Sequence, residues 1–367
     1  MPRLATARAL LASAIEEKVF PGAAFAVLCS GAQYLGAAGR FTYAPDSPAV
    51  TPHTIFDLAS VSKVVATTAM AMLLYDRGLL ALDSPLQSIL PAFNPARDSA
   101  RAAVTLRHLL THSSGLPAHE YLYRECRTRG QALAHLLTMP LESDPGAAYV
   151  YSDPGFILLG LALEKFAAEP LDVFCTREIF APLGMASTLF CPPAGLRSQI
   201  PPTGPDTGLR TAVIQGEVHD ENAALLGGVA GHAGLFSNAP DLLRFAQCLF
   251  AGGLTSTGSQ LFQPATIALF ITPASRPPGS SRALGWDTPS APSSSGHYFS
   301  PHSAGHLGFS GTSLWLDFDR RLAIALLNNR TYHLPDEIQP TQDAIRRLRP
   351  AFHDAVFQAL VTAIPPL

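Results

Sequence analysis

In the stretch Asp57-Leu58-Ala59-Ser60-Val61-Ser62-Lys63-Val64-Val65-Ala66, a loop gives way to a helical run, and a serine and a lysine stand three residues apart where it starts. Residues at that spacing share a helix face, so the amine can reach the hydroxyl. A serine at a helix N-terminus also sits at the positive end of the macrodipole. That position favours an alkoxide and offers the residue's own backbone N–H to an oxyanion. Alone the tetrapeptide is weak, because a helix-capping serine followed by a solvated lysine reads the same way.

Toward the N-terminus, Leu4, Leu11 and Ile15 recur at helical spacing and predict an amphipathic helix, while Arg8 and Glu16-Glu17-Lys18 argue against a secretion signal. Ala23 to Cys29 and Gln33 to Gly36 are apolar runs separated by Ser30-Gly31-Ala32, a hairpin signature. Val61 to Leu80 is helical in pattern, and from there to about residue 225 helical segments alternate with Pro and Gly, with little sign of strands. Cys191 to Gly216 and Ala274 to Gly296 read as long surface loops of the kind that rim functional sites. His306 to Asp317 and Arg321 to Leu327 predict a second hairpin, and Ala351 to Thr362 a closing helix. Sheet elements thus lie at both ends of a chain without internal repeats. The expected fold is α/β of the α+β kind, an antiparallel sheet flanked by helices. Residues 1–75 and 225–367 would form the sheet domain, and residues 76–224 a mostly helical insert.

Hydrophobic residues make up 47% of the 367 and charged ones 14%, the balance of a compact globular protein. Net charge is -3 and no stretch concentrates Lys and Arg, which speaks against nucleic acid and anionic lipid as partners. The most apolar piece, Phe156 to Leu163, is interrupted by Gly160 and followed by Glu164 and Lys165, so no membrane span is expected. Five cysteines, odd in number and without CxxC spacing, suit neither a disulfide framework nor a zinc cluster. Free thiols fit a cytoplasmic location, or a periplasmic or secreted one if a leader has been removed.

Two further signals lie downstream. Tyr151-Ser152-Asp153, between Pro145-Gly146 and Pro154-Gly155, is presented on a loop between helices; the plain alternative is a packed tyrosine with Asp153 capping the helix Gly155 to Phe166. His306-Leu307-Gly308-Phe309-Ser310-Gly311-Thr312 is glycine-rich yet enters the apolar run Leu314-Trp315-Leu316, and glycine in a strand often marks close backbone approach to a ligand.

Together and in this order, the three signals resemble the Ser-x-x-Lys, Tyr-x-Asn and Lys/His-Thr-Gly triplet of the serine β-lactamase and DD-peptidase (penicillin-binding protein) superfamily. The resemblance extends to the stretches Thr105 to Pro117, Pro182-Leu183-Gly184-Met185 and Gly227 to Leu235, and covers roughly residues 10–330. It implies a serine hydrolase acting through an acyl-enzyme on Ser60, with Lys63 and Tyr151 sharing the proton work and His306 a further catalytic position. The oxyanion hole it implies is the backbone N–H of Ser60 with that of Phe309, and Asp153, Leu307 and Gly308 fall where substrate is bound. No metal or other cofactor is implied. The expected partner is a small ester, amide or peptide. No Gly-x-Ser-x-Gly elbow is present, which disfavours an α/β-hydrolase.

Two departures from the pattern, at Asp153 and Leu307, and the choice of histidine at His306 bear on mechanism. Asp153 stands where the family has Asn, and a carboxylate near Lys63 favours the ammonium and shifts the base role toward Tyr151. Lys and Tyr both titrate near pH 10 unperturbed, and the sequence leaves the choice between them open. His306 stands at a Lys or His position and Leu307 replaces a hydroxyl-bearing Thr that in relatives helps hold a substrate carboxylate. These two positions shift the expectation from β-lactamase or D-alanyl-D-alanine carboxypeptidase toward esterase or peptidase/amidase. An acylating receptor or non-catalytic binding protein on the same scaffold is the alternative of another class.

His108 and His112 share helical spacing, but Leu109 stands where a zinc protease has Glu, so they read as helix-terminal histidines. His302 and His306 share it too, beside Pro301 and Gly305. Glu217, His219, Asp220 and Glu221 read as capping and loop bracing. Tyr121, Tyr123 and Trp286 are weaker candidates for a substrate wall.

Overall fold

A computed structural model describes residues 4–205, 208–210, 212–275, 277–333 and 338–361. The helix Ala5–Glu16 leads into strand β1 (Gly22–Cys29), and Ser30 and Gly31, both at positive φ, turn the chain into β2 (Ala32–Gly39). Two positive φ values in a two-residue loop match the right-handed strand twist. The remaining strands are β3 (Phe56–Asp57), β4 (Leu189–Phe190), β5 (Thr203–Pro205), β6 (Val213–Ile214), β7 (Leu235–Ser237), β8 (Ser303–Leu307), β9 (Ser313–Asp317) and β10 (Leu322–Asn328).

The main sheet has the order β2-β1-β10-β9-β8 and every pair is antiparallel, so the N-terminal hairpin joins the C-terminal strands edge to edge through β1 and β10. β1 and β10 are buried along their whole length. Ala24, Ala26, Leu28, Ala323, Ala325 and Leu327 face the helical body, whereas Phe25, Val27, Leu322, Ile324 and Leu326 pack under the two terminal helices. A strand covered on both faces reads as a continuous apolar run, which is why both are visible in the sequence. A small sheet, β3-β7-β4, carries the buried Asp57, three residues before Ser60.

Several elements differ from the sequence expectation. His306 to Asp317 is two strands, β8 and β9, joined by the tight turn Gly308–Thr312, in which Gly308 N–H donates to Thr312 O (2.8 Å) and Gly311 has a φ of 104°. The closing helix spans Ile338–Leu360 and continues through Pro350, where the sequence suggested a start; Thr362 lies outside the described residues. Proline removes one helical bond, yet Ile345, Phe352 and Val356 are all buried against the sheet, and that packing holds the helix together across it. The region expected to be nearly strandless contributes β4, β5 and β6, each of two or three residues, too short to leave a periodic signal.

Among the described residues, no helix is long and apolar enough to cross a membrane, and no three His, Cys, Asp or Glu gather to hold a metal ion.

Candidate active site

Ser60 lies in a 3₁₀ turn, Ala59–Val61, at the head of a helix that runs as a π-helical stretch from Lys63 to Thr68 and as an α-helix from Ala69 to Asp76. π-helical insertions recur at functional sites. The Lys63 side chain is fully buried, and its Nζ donates to Ser60 Oγ (2.9 Å), Asp153 Oδ1 (2.7 Å) and the His232 carbonyl (3.0 Å). An ammonium has three N–H donors, and all three are engaged.

The charge state of this pair follows from its surroundings. Burial pushes the Lys63 amine down, but the Asp153 carboxylate and the Tyr151 side chain outweigh it and hold the amine above its ordinary range. Burial pushes the Asp153 carboxyl up, but the Lys63 charge, together with His119 and His232, holds it well below the usual carboxylate range. His119 Nδ1 lies 3.5 Å from Asp153 Oδ2 and its own basicity is raised by that contact. A depressed carboxyl contributes stability above its unfolded value of about 3.9, lost as pH falls through its folded value. A raised amine contributes below its unfolded value of about 10.4, lost as pH rises through its folded value. Urea midpoints are therefore expected to fall below about pH 4, and Asp153→Asn to flatten that acid limb; an unchanged limb in the variant contradicts the pairing.

Asp153 does not cap the helix it opens. Ser152 does: its Oγ accepts from Gly155 N–H (3.1 Å) and donates to the Pro117 carbonyl (2.7 Å), which leaves the Asp153 carboxylate, at the first position of the helix Asp153–Ala167, turned to Lys63. The Ser152 N–H donates to His112 Nδ1 (3.0 Å) and Asp153 N–H to Ala118 O (3.1 Å). His112 lies beyond the short helix Leu106–Leu110, at a φ of 54°, so its ring packs between Tyr151 (centroids 4.5 Å apart) and Phe156 (4.8 Å). His108 closes a capping box with Thr105, as a helix-terminal residue should.

Tyr151 presents its ring to two cations: Lys63 Nζ is 5.0 Å and the Arg282 guanidinium carbon 5.3 Å from the ring centroid. The His306 ring, on β8, is 5.9 Å away. Burial, with the Arg282 and Lys63 charges, holds both His306 and His112 well below ordinary imidazole basicity, so both are neutral at pH 7. His306 Nδ1 lies 2.8 Å from the Leu307 carbonyl, which fixes the tautomer with hydrogen on Nδ1.

A cleft opens on both sides of Ser60. One cavity of about 430 Å³ is lined by Ser60, Asp153 and Phe309 with His119, Tyr121, Tyr123, His219 and Glu221. Another of about 370 Å³ is lined by the same three with Tyr151, Arg282, His306, Leu307, Gly308, Arg346 and Arg349. Ser60, Tyr151, Asp153, His306, Leu307, Gly308 and Phe309 therefore meet at one cleft, with Lys63 buried beneath it. Tyr121 and Tyr123 do form wall, whereas Trp286 is buried and stacked on Phe245. Asp220 caps the helix Glu221–Leu225 and also holds His232 (2.9 Å), the residue whose carbonyl takes Lys63.

The turn carrying Phe309 is braced from behind by two buried arginines. Arg349 donates to the carbonyls of Gly308 (2.5 Å), Thr312 (2.9 Å) and Gly311 (3.1 Å), and Arg330 Nε to that of Phe309 (3.0 Å). With the Gly308 carbonyl held by Arg349, the Phe309 N–H of the same trans peptide points away from it. From the front, Thr312 Oγ1 donates to Leu58 O and Ser310 Oγ to Asp57 O, each at 2.9 Å. A Cβ on Gly308 would come within 2.5 Å of Leu58 O, so the close approach that its glycine signals is to the serine loop itself.

A model of the beta-lactamase family matches residues 7–346 of this sequence. The chain belongs to the beta-lactamase family. It is 32% identical over 338 residues to an N-acetylmuramyl-L-alanine amidase of Bacillus subtilis (strain 168), covering 85% of this chain and 75% of the relative. It is also 32% identical over 309 residues to a protein of Escherichia coli (strain K12) provisionally named a D-alanyl-D-alanine carboxypeptidase, covering 77% and 70%. Among solved structures it is similar to EstCE1, a hydrolase with promiscuous acyltransferase activity, at a TM-score of 0.73, 25% identity and 95% and 98% coverage. A penicillin-binding protein homolog from Caulobacter crescentus, 18% identical with a TM-score of 0.74 over 97% and 98%, shares the fold. These matches make it a member of the serine beta-lactamase and penicillin-binding protein superfamily, a family of serine hydrolases.

Proposed function

We propose that this protein hydrolyses a small ester or amide through an acyl-enzyme on Ser60. The observation that carries the reading is the 2.9 Å contact between Ser60 Oγ and the buried Lys63 Nζ at the floor of an open cleft. Lys63, paired with Asp153, is an ammonium and cannot accept a proton; it stabilises the developing alkoxide by charge. Tyr151 is then the base. Acting as the phenolate, it takes the Ser60 proton as Oγ attacks the carbonyl carbon, passes that proton to the departing alcohol or amine, and in the second half takes one from the water that attacks the acyl carbon and returns it to Ser60 Oγ as that oxygen leaves. The N–H groups of Ser60 and Phe309 receive the carbonyl oxygen as it becomes negative.

The substrate is best sought among compounds bearing an anionic group. Leu307 offers no hydroxyl for a carboxylate, but the wall beyond it carries Arg282 and Arg346, and Arg–carboxylate pairs are strong and geometrically specific. Relatives named as an amidase and a carboxypeptidase support peptides over simple esters. A panel of p-nitrophenyl esters, D-amino acid peptides and nitrocefin tests the reading. Turnover of carboxylate-bearing peptides or amides is expected, and nitrocefin hydrolysis at rates comparable to the best of them overturns the preference against a β-lactamase. Tyr151→Phe is expected to lower kcat about 10²-fold or more on the best substrate, the scale of general-base losses. Wild-type turnover in that variant removes Tyr151 from the chemistry.

A further inference from the structure

Asp57 lies three residues before Ser60, buried at 4% exposure, and lines neither of the two cavities beside Ser60. Its Oδ1 accepts from the Ala59 N–H (2.8 Å) and its Oδ2 from the His219 N–H (2.8 Å), while its carbonyl accepts from Ser310 Oγ (2.9 Å). One residue thereby ties together the serine loop, the wall that carries His219, and the turn that carries Phe309. The His219 ring stacks on Phe309 (centroids 6.2 Å, 16° between planes), so the two far ends of this tie also meet across the cleft. Ala59 needs the restraint. Its φ of 47° lies in the left-handed region, which a residue with a Cβ keeps only when its surroundings enforce it. The Ser60 N–H belongs to the peptide that follows this residue, so any relaxation of Ala59 re-aims it.

We propose that Asp57 is a positioning residue for the reaction, its carboxylate holding Ala59 in the strained conformation that sets Ser60 against the Phe309 turn. The proposal rests on Ser60 being the nucleophile. The ionised form holds both N–H groups most strongly, because a proton on one oxygen takes up a lone pair and weakens that oxygen as an acceptor. Burial pushes this carboxyl up to about 6; the His219 and Ala59 N–H bonds and Arg210 oppose the rise, and Asp220 adds to it. The charged groups that act on it are Asp220 and Arg210, and His219 meets it through its backbone N–H. A carboxyl raised in the fold contributes stability below its unfolded value of about 3.9 and loses it as pH rises through about 6. Ordering of the serine loop and stability from this group therefore run in opposite directions with pH.

The test is the rate at which a fluorophosphonate probe labels Ser60, followed by intact mass from pH 5 to pH 8 in the wild type and Asp57→Asn. At pH 8 the variant is expected to label about tenfold or more slowly. The gap is expected to close toward pH 5, where the wild-type carboxyl has itself taken up a proton. A ratio constant across pH, or equal rates at pH 8, overturns the proposal. Absence of any Ser60 adduct in the wild type instead overturns the nucleophile reading on which it rests. Should Asp57→Asn not fold, the Ala59 and His219 amide resonances of the wild type are expected to shift together with a midpoint near pH 6, and amides that stay fixed through that range overturn it.

Discussion

Ser60→Ala is expected to lower turnover by about 10⁴-fold or more while leaving the unfolding midpoint close to that of the wild type. Removing the nucleophile of a unit that acts together costs nearly as much as removing the whole unit, and what remains comes from the oxyanion donors and binding. Stability is spared for a structural reason. Ser60 is only partly buried, and in its absence Lys63 keeps both Asp153 and the His232 carbonyl, so no buried charge loses its counter-ion. Steady-state rates and thermal unfolding on the same preparation check both halves. Residual turnover within tenfold of the wild type removes Ser60 from the mechanism, and a large drop in midpoint means that the hydroxyl is structural.

Lys63→Ala is expected to damage both fold and function. The ammonium is fully buried, and its partner carboxylate is only 16% exposed, so deletion leaves Asp153 charged, poorly hydrated and facing a void. Breaking one side of a buried pair costs about 3–5 kcal/mol, far more than the pair contributes against an apolar replacement. The double variant Lys63→Ala, Asp153→Ala is therefore expected to be more stable than Lys63→Ala alone, because it removes the stranded charge. Urea unfolding of the two variants and the wild type measures this coupling. Equal stability of single and double variants means that Asp153 is neutral or hydrated in the fold, against the ion pair drawn here. Turnover should be lost in both, since neither retains a cation beneath Ser60.

What the sequence made legible was local or periodic. Ser60 and Lys63 are three residues apart and meet because a helix brings such residues together, and β1 and β10 read as strands because both of their faces are covered by apolar partners. The triplet order made the family legible without any geometry. The contacts that set charge and aim were not legible, because they join distant parts of the chain. Lys63 meets Asp153 and the His232 carbonyl across 90 and 169 residues, and a glycine-rich run has no spacing that names which carbonyl it delivers. His112 was read from helical spacing, but a positive φ carries it off the helix to Tyr151 and Ser152, and backbone sign at a histidine leaves no trace in composition. Asp57 carries no motif of its own; its importance comes from two N–H groups, one of them 162 residues away. Arg349 was hidden beside a proline that suggested a helix boundary, yet the helix runs through it and seats the guanidinium under the Phe309 turn.

Acid-quenching a reaction with a slowly hydrolysed ester and mapping the intact protein by mass and then by peptide gives the most direct test. The acyl group is expected on Ser60, appearing within one turnover, decaying with product release, and absent from Ser60→Ala. Product formed with no acyl adduct on Ser60 at any quench time, or with the adduct on another side chain, would contradict the acyl-enzyme at the centre of this mechanism.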